Sequence, residues 1–326
     1  MPPATRHTAR VTAIIGGLGA AVLWAVATLC SSRSSRMLGS RVVLGWVMVV
    51  GVVIALPVAI VSPPPDTLAP STLVLLGIAG ICYVIGLQCT YAGLRIGKVS
   101  IVAPIVATEG AVAAVIAIAL GDSVGLVAGL MLAAIAAGVV LSTLEPGRTD
   151  VAAGDFDVVI DAIDDAPPIQ AGRPIDPTVR TATGERPIDT RRATIFAIGG
   201  ALFFGVGLVA SGRAASLVPV AWVALSARLV GVLVVVIPLV MQGRLRLTRL
   251  ALPLVVLAGA GEVLGSMLSA WGSRESIPIT AVMGSQFAAI AAVVAFLLFG
   301  ERLGRLQVAG VVLIVTGVTL LAAVTA

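Results

Sequence analysis

Ten stretches of this 326-residue chain are each about as long and as apolar as the hydrocarbon core of a bilayer requires, and nothing else constrains the fold as tightly. A spanning helix needs about 20 mostly apolar residues, because hydrocarbon satisfies no backbone N–H or C=O and the segment must pair its own. On that basis the sequence predicts helices at 11–30, 41–61, 72–92, 99–120, 124–143, 193–212, 218–241, 250–271, 277–299 and 305–325. The punctuation supports these cuts. Ser62–Asp66 reads SPPPD, and proline lacks the N–H donor that a helix interior needs. Gly121-Asp122 and Gly300-Glu301 are polar breaks between apolar runs. Composition points the same way: 59% apolar and 11% charged, against about 45–50% and about 25% in soluble domains. The expected class is an all-α, polytopic protein, multi-pass in the cell (plasma) membrane, with the lipid bilayer as its main surroundings. Arg6, His7 and Arg10 ahead of an apolar run also fit a signal peptide. The length of Val11–Cys30 and its match to the segment after Thr194 favour a retained helix instead.

The chain also says one thing twice. Gly80–Asp122 laid over Gly259–Glu301 without a gap puts Gly80 on Gly259, Gly86 on Gly265, Gly93 on Gly272 and Arg95 on Arg274. Gly121 then falls on Gly300, and Asp122 on Glu301. Earlier, Gly16-Gly17 matches Gly199-Gly200. A duplicated bundle is how many secondary transporters are built, with the substrate site between the halves. The predicted layout is therefore two five-helix repeats, 1–144 and 193–326, joined by 145–192. That joining segment holds ten acidic residues against six arginines and buries too little apolar surface to offset its ordering entropy, so it reads as a disordered tether. Gly125-Gly129 and Gly261-Gly265 have the spacing that lets helix backbones approach closely in lipid.

Several functions are disfavoured at this level. The net charge of +5 is scattered through short loops, with no basic face interleaved with aromatics, so nucleic acid is not an expected partner. Cys30, Cys82 and Cys89 form no CxxC, and the lone histidine is His7. A zinc site and Ser-His-Asp chemistry are thus not expected, and no metal or cofactor is predicted. Asp155–Asp165 lacks the glycine and terminal glutamate of a calcium loop. No phosphate-binding glycine-lysine loop is present, so ATP is not a direct energy source. A lipid-modifying enzyme would want paired aspartates or histidine at the membrane face, and the aspartates here lie in the tether. The chain is not expected to be an enzyme.

Ionisable groups inside apolar spans cost about 2.5–3.5 kcal/mol each on insertion scales and usually face a cavity or a partner. Glu109, Arg228 and Glu262 stand well inside predicted spans, with Gln88 and Gln286 as the strongest neutral polar residues. Tyr83 and Ser266 lie close by, and Glu262 and Ser266, four apart, share a helix face. In the repeat alignment Tyr83 matches Glu262, and Ala107 matches Gln286. The functional reading is a central cavity walled by the third, fourth, eighth and ninth helices. There Glu262 or Glu109 would bind a cationic group or a proton. The structural reading is a buried ion pair between Arg228 and one glutamate, with the glutamines as interhelical glue. Asp122 and Glu301, at helix ends, read as capping or loop residues.

The second half closes with FLLFGERLGRLQVAGVVLIVTGVTLLA, Phe296 to Ala322, and the first half carries a weaker copy in Leu120–Asp122 followed by Gly129 and Gly138. Together with the duplication and the ten spans, this resembles EamA-type proteins of the drug/metabolite transporter superfamily. The resemblance implies a ten-helix transporter of small metabolites, in inverted repeats, with both termini cytoplasmic. It departs from the family pattern at Gly110 and Ala288, near where a helix-bending proline is often found, which leaves the usual bend without its usual cause. The positive-inside rule conflicts with the implied orientation. With termini inside, that side's loops carry only Arg6, Arg10, Arg213 and Arg274, while most other basic residues fall on the opposite side. The expected function is a gradient-driven secondary transporter of a small organic solute. The alternative is a non-transporting scaffold whose acidic segment recruits partners. Whether two copies pair as a homodimer is left open.

Overall fold

The computed structural model describes residues 3–63, 68–96, 99–122, 125–143, 190–287, 289–290, 309–310, 312–313 and 316–317. Most of the predicted tether, the closing motif around Glu301 and nearly all of the last span lie outside these residues. All regular structure among the described residues is helical. The helices are α1 (Pro3–Leu38), α2 (Ser40–Val61), α3 (Pro70–Ile96), α4 (Val99–Val106), α5 (Glu109–Ala119) and α6 (Leu126–Thr143). After the tether come α7 (Thr190–Ala215), α8 (Val220–Gly231), α9 (Ile237–Met241), α10 (Ala251–Ser273) and α11 (Ile277–Gly284). Among the described residues, six helices are long and apolar enough to cross a bilayer: α1, α2, α3, α7, the continuous Val220–Met241 and α10. In each, 39–56% of the most apolar window is buried inside the protein. The rest carries side chains such as Ile60 (68% exposed) and Leu233 (64% exposed), a surface that only lipid or another apolar partner would tolerate.

Boundaries shift from the sequence expectation for local reasons. The first helix runs on past Cys30 to Leu38 through four serines and two arginines, where an apolar count stops. Ser34 there donates its hydroxyl to the Cys30 carbonyl at 2.8 Å, so a serine inside the helix is satisfied without leaving it. Gly39 at φ 90° then turns the chain into α2, and Gly121 at φ 100° ends α5 where the sequence placed a break. The sixth predicted helix begins at Thr190 rather than at residue 193. The seventh is interrupted by a π-helical segment, Val232–Val236, just after Arg228. Such segments often accompany functional positions.

The fourth and ninth predicted spans are discontinuous. α4 ends at Val106 and α5 starts at Glu109, with Thr108 N bonded to Ile105 O at 3.2 Å, a tightened i→i−3 turn. α11 ends at Gly284, and Gln286 N bonds Met283 O at 3.3 Å in the same manner. No proline stands at Gly110, yet the helix breaks there all the same. Thr108 donates its hydroxyl to Ile105 O at 2.7 Å and Ser285 to Val282 O at 2.8 Å, so side-chain bonds occupy carbonyls that the regular ladder would use.

Helix pairing positions the site. α1 packs along α10 and α3 along α7, the two most extensive contacts; α2 crosses α8, and α5 meets α11. The α1–α10 seam closes through small residues. Gly261 faces the Leu23 carbonyl and Ala27, and Gly265 faces the Trp24 indole. At Gly125 and Gly129 a Cβ would meet nothing within 4 Å among the described residues, where α6 lies at the edge of the described bundle. At one end, Arg274 donates to Ala215 O at 2.6 Å and Val218 O at 2.9 Å, pairing carbonyls that the end of α7 leaves open. Nearby Arg213 reaches Asp122 at 2.6 Å across the two halves of the chain. That pair is 39% and 23% exposed. Arg213→Gln should therefore cost no more than about 1 kcal/mol, and less at high salt, in a thermal-unfolding measurement.

Candidate functional site

Where α1, α3, α7, α8 and α10 converge on the α4–α5 break, they enclose a cavity of about 900 Å³, counting its open mouth. Its wall is mostly apolar, with Leu87, Val106, Phe204 and Phe287 among the contributors. Five of the seven residues singled out from sequence line it: Tyr83 from α3, Glu109 from α5, Arg228 from α8, and Glu262 and Ser266 from α10. Gln88 and Gln286 do not line it. Gln88 is half-buried on another face of α3, and Gln286 is buried at the α11 break, donating to Val282 O at 3.1 Å. Gln286 thus does local backbone work.

The polar groups form one connected assembly. The Tyr83 hydroxyl donates to Glu262 Oε2. Arg228 Nη2 donates to Ser266 Oγ at 3.1 Å, and Ser266 donates in turn to the Glu262 carbonyl at 2.6 Å, one helical turn back. The Arg228 guanidinium lies over the Tyr83 ring, with its carbon 4.3 Å from the centroid, a cation–π contact worth more away from water than at a surface. Phe204 meets that ring edge-on, centroid to centroid 5.9 Å. α2 lets the arginine in: a Cβ at Gly51 would stand 2.8 Å from Arg228 Cδ. Burial is nearly complete, with Arg228 0%, Glu109 4% and Glu262 6% exposed.

The structural alternative of an Arg228–glutamate ion pair is not what forms. Among the described residues no carboxylate oxygen of Glu109 or Glu262 pairs with the guanidinium within 4.0 Å, whereas Arg213 and Asp122 do form an ion pair. Tyr83 and Ser266 stand between the charges instead. If all three groups ionise, the cavity carries one net negative charge. The arrangement can bind and release charged or polar groups in an apolar surround. No cluster of three His, Cys, Asp or Glu suited to a metal occurs among the described residues.

Sequence reasoning did not anticipate contributions from the first, sixth and seventh helices beyond Arg228. Trp24 and Thr28 enter from α1, Phe204 and Ser211 from α7. One signal was available. On α10, Ser269 follows Glu262 by seven residues and Ser266 by three, which extends the polar stripe along one helical face, and it too lines the cavity. Trp24 and Phe204 left no such signal, because an aromatic in an apolar run looks the same facing lipid or a cavity.

Six helices of membrane-spanning length and composition among the described residues, five of them walling a mostly apolar cavity that holds buried polar groups, fit a polytopic membrane protein. The EamA-like transporter family model matches residues 11–144 and again 191–323, so the chain belongs to the EamA-like transporter family. Its members are typically transporters and not enzymes. No curated protein matches the sequence. One protein of solved crystal structure shares the fold at a TM-score of 0.66, with 15% identity over 96% of this chain and 98% of that one.

Proposed function

We propose that this protein is a secondary transporter that moves a small organic solute across the cytoplasmic membrane by alternating access, driven by a solute or proton gradient. The observation that carries this reading is the cavity itself: two carboxylates and an arginine are held almost without exposure between helices of both halves. Groups so costly to bury are kept where they meet a solute or an ion. Glu262 and Glu109 are the proposed sites of proton or cation binding, and Arg228, Tyr83 and Ser266 complete the polar wall.

The helix pairing supports an inverted five-plus-five layout. In the sequence register α1 corresponds to α7, and α3 to α10. The α1–α10 and α3–α7 contacts therefore exchange when the halves exchange, while α2–α8 maps onto itself, as does the pairing of the fourth span with the ninth to which the α5–α11 contact belongs. The two helix breaks also fall one residue apart in that register, at Thr108 and Gln286, and broken helices facing each other are how many carriers build a site. In this reading 1–144 and 193–326 are the rocking units and 145–192 is their tether.

The test is reconstitution in liposomes, in both orientations, with a panel of amino acids, cationic drugs and nucleotide precursors. At least one solute should enter faster than into empty vesicles. Uptake equal to that of empty vesicles across the panel removes the proposal.

A further inference from the structure

Building on the carrier reading above, we infer that the solute is a small carboxylate with an apolar body, its head group held by Arg228. Among the polar atoms buried in the cavity wall, those left without a partner are Arg228 Nε and Nη1, Trp24 Nε1 and the Tyr91 hydroxyl. Guanidinium and indole nitrogens can only donate. The acceptors of the wall, the Glu109 and Glu262 carboxylates among them, do not reach these donors, and a ligand that brings acceptors would satisfy them.

Arg228 spends one N–H on Ser266, which leaves the rest of a fully buried guanidinium unpaired. A buried charge left so is costly, and a partner that enters and leaves with each cycle would satisfy it. The end of the guanidinium, Nη1 beside the second proton of Nη2, matches the two oxygens of a carboxylate. Its position is set on three sides: the Tyr83 ring below, Ser266 on Nη2 and Gly51 of α2 along the stem. Trp24 lines the same cavity, and its Nε1, packed against Gly265 in the α1–α10 seam, is a further unpaired donor.

Two features narrow the class. Glu109 and Glu262 share the cavity, so an anion of higher charge would meet repulsion that a monoanion largely avoids. Much of the remaining wall is Leu87, Val106, Phe204 and Phe287, which suits a hydrocarbon or aromatic body. An amine without a carboxylate would leave the Arg228 donors unpaired and add a like charge beside them. An amine carried in addition to the carboxylate would find Glu262 or Glu109, so a zwitterion falls within the class.

The full-length protein in lipid nanodiscs is titrated calorimetrically with three probes of one body: phenylpropanoate, phenylalanine and phenylethylamine. At least one carboxylate should bind about tenfold or more tighter than phenylethylamine, the scale of a charge-assisted hydrogen bond. Arg228→Met should abolish carboxylate binding while the melting temperature stays or rises, because an unpaired buried charge is removed. Arg228→Lys keeps the charge without the planar fork and should weaken binding about tenfold. Phenylethylamine binding as tightly as the carboxylates, no carboxylate binding at all, or carboxylate affinity unchanged in either variant each overturns the inference. The two readings fail separately. An amine carried into vesicles while carboxylates are ignored leaves a carrier without this head-group site. Carboxylate binding at Arg228 with no solute moved leaves the site without the carrier.

Discussion

Gradient-driven accumulation of a verified substrate should fall about tenfold or more in Glu262→Gln, about 1.4 kcal/mol in the coupled step, while the protein still folds. Glutamine is nearly isosteric, and its amide oxygen can still accept from Tyr83, so the contact that ties α3 to α10 survives. What disappears is the group that can exchange a proton or pair with a cation. The informative comparison is between two assays on the same proteoliposomes. Uptake driven by an imposed proton gradient should collapse, whereas exchange of labelled for unlabelled solute without a gradient should persist. Glu109→Gln provides the contrast. Glu109 sits at the first turn of α5 beside the α4–α5 break, whereas Glu262 is joined to Tyr83 and, through its carbonyl and Ser266, to Arg228. A Glu262→Gln variant that accumulates solute like the parent would remove Glu262 from the coupling machinery.

The largest stability loss is expected from Gly261→Leu. At Gly261, a Cβ would stand 2.6 Å from the Leu23 carbonyl oxygen and 3.2 Å from Ala27 Cβ. The nearest of these is backbone, so no rotamer change can relieve the clash, and α1 must move away from α10 along a major helix contact of the bundle. Overpacking of this kind costs about 1–3 kcal/mol, and the rigid neighbour puts it at the upper end. The matched control is Gly77→Leu on α3, where nothing lies within 4 Å. There a leucine should be neutral or slightly stabilising, since glycine inside a helix costs about 1 kcal/mol relative to a good helix former. Thermal unfolding of both variants in the same detergent reads the difference. Equal melting temperatures for the two would mean that the α1–α10 seam is not as close as described.

Much of the architecture was legible because hydrocarbon imposes a simple rule. A stretch of about 20 apolar residues between polar breaks has few options other than a spanning helix, and α2, α3, α7 and α10 begin and end within four residues of where the apolar runs place them. The helix breaks were not legible. Thr108 and Ser285 are compatible with a continuous helix, and they mark a break only when the neighbouring helices hold the tightened turn in place. The π segment after Arg228 is likewise silent in a run of valines and leucines.

The candidate site divides along the same line. The cost of placing Glu109, Arg228 and Glu262 in apolar spans marked them from composition alone, because a charge in hydrocarbon has to be matched by something. Gln88 and Gln286 carried the same mark at lower cost, and a neutral amide can find a local partner, as Gln286 Nε2 does in the Val282 carbonyl. Polarity in a span therefore says that a partner exists and does not say where. That Tyr83 stands between Arg228 and Glu262, that Arg228 keeps unpaired donors, and that Trp24 and Phe204 turn toward the cavity instead of the lipid follow from how helices far apart in the chain meet. Periodicity along one helix holds no term for the rotation of another, so the spans and their costly residues belonged to the sequence, and the cavity to the packing.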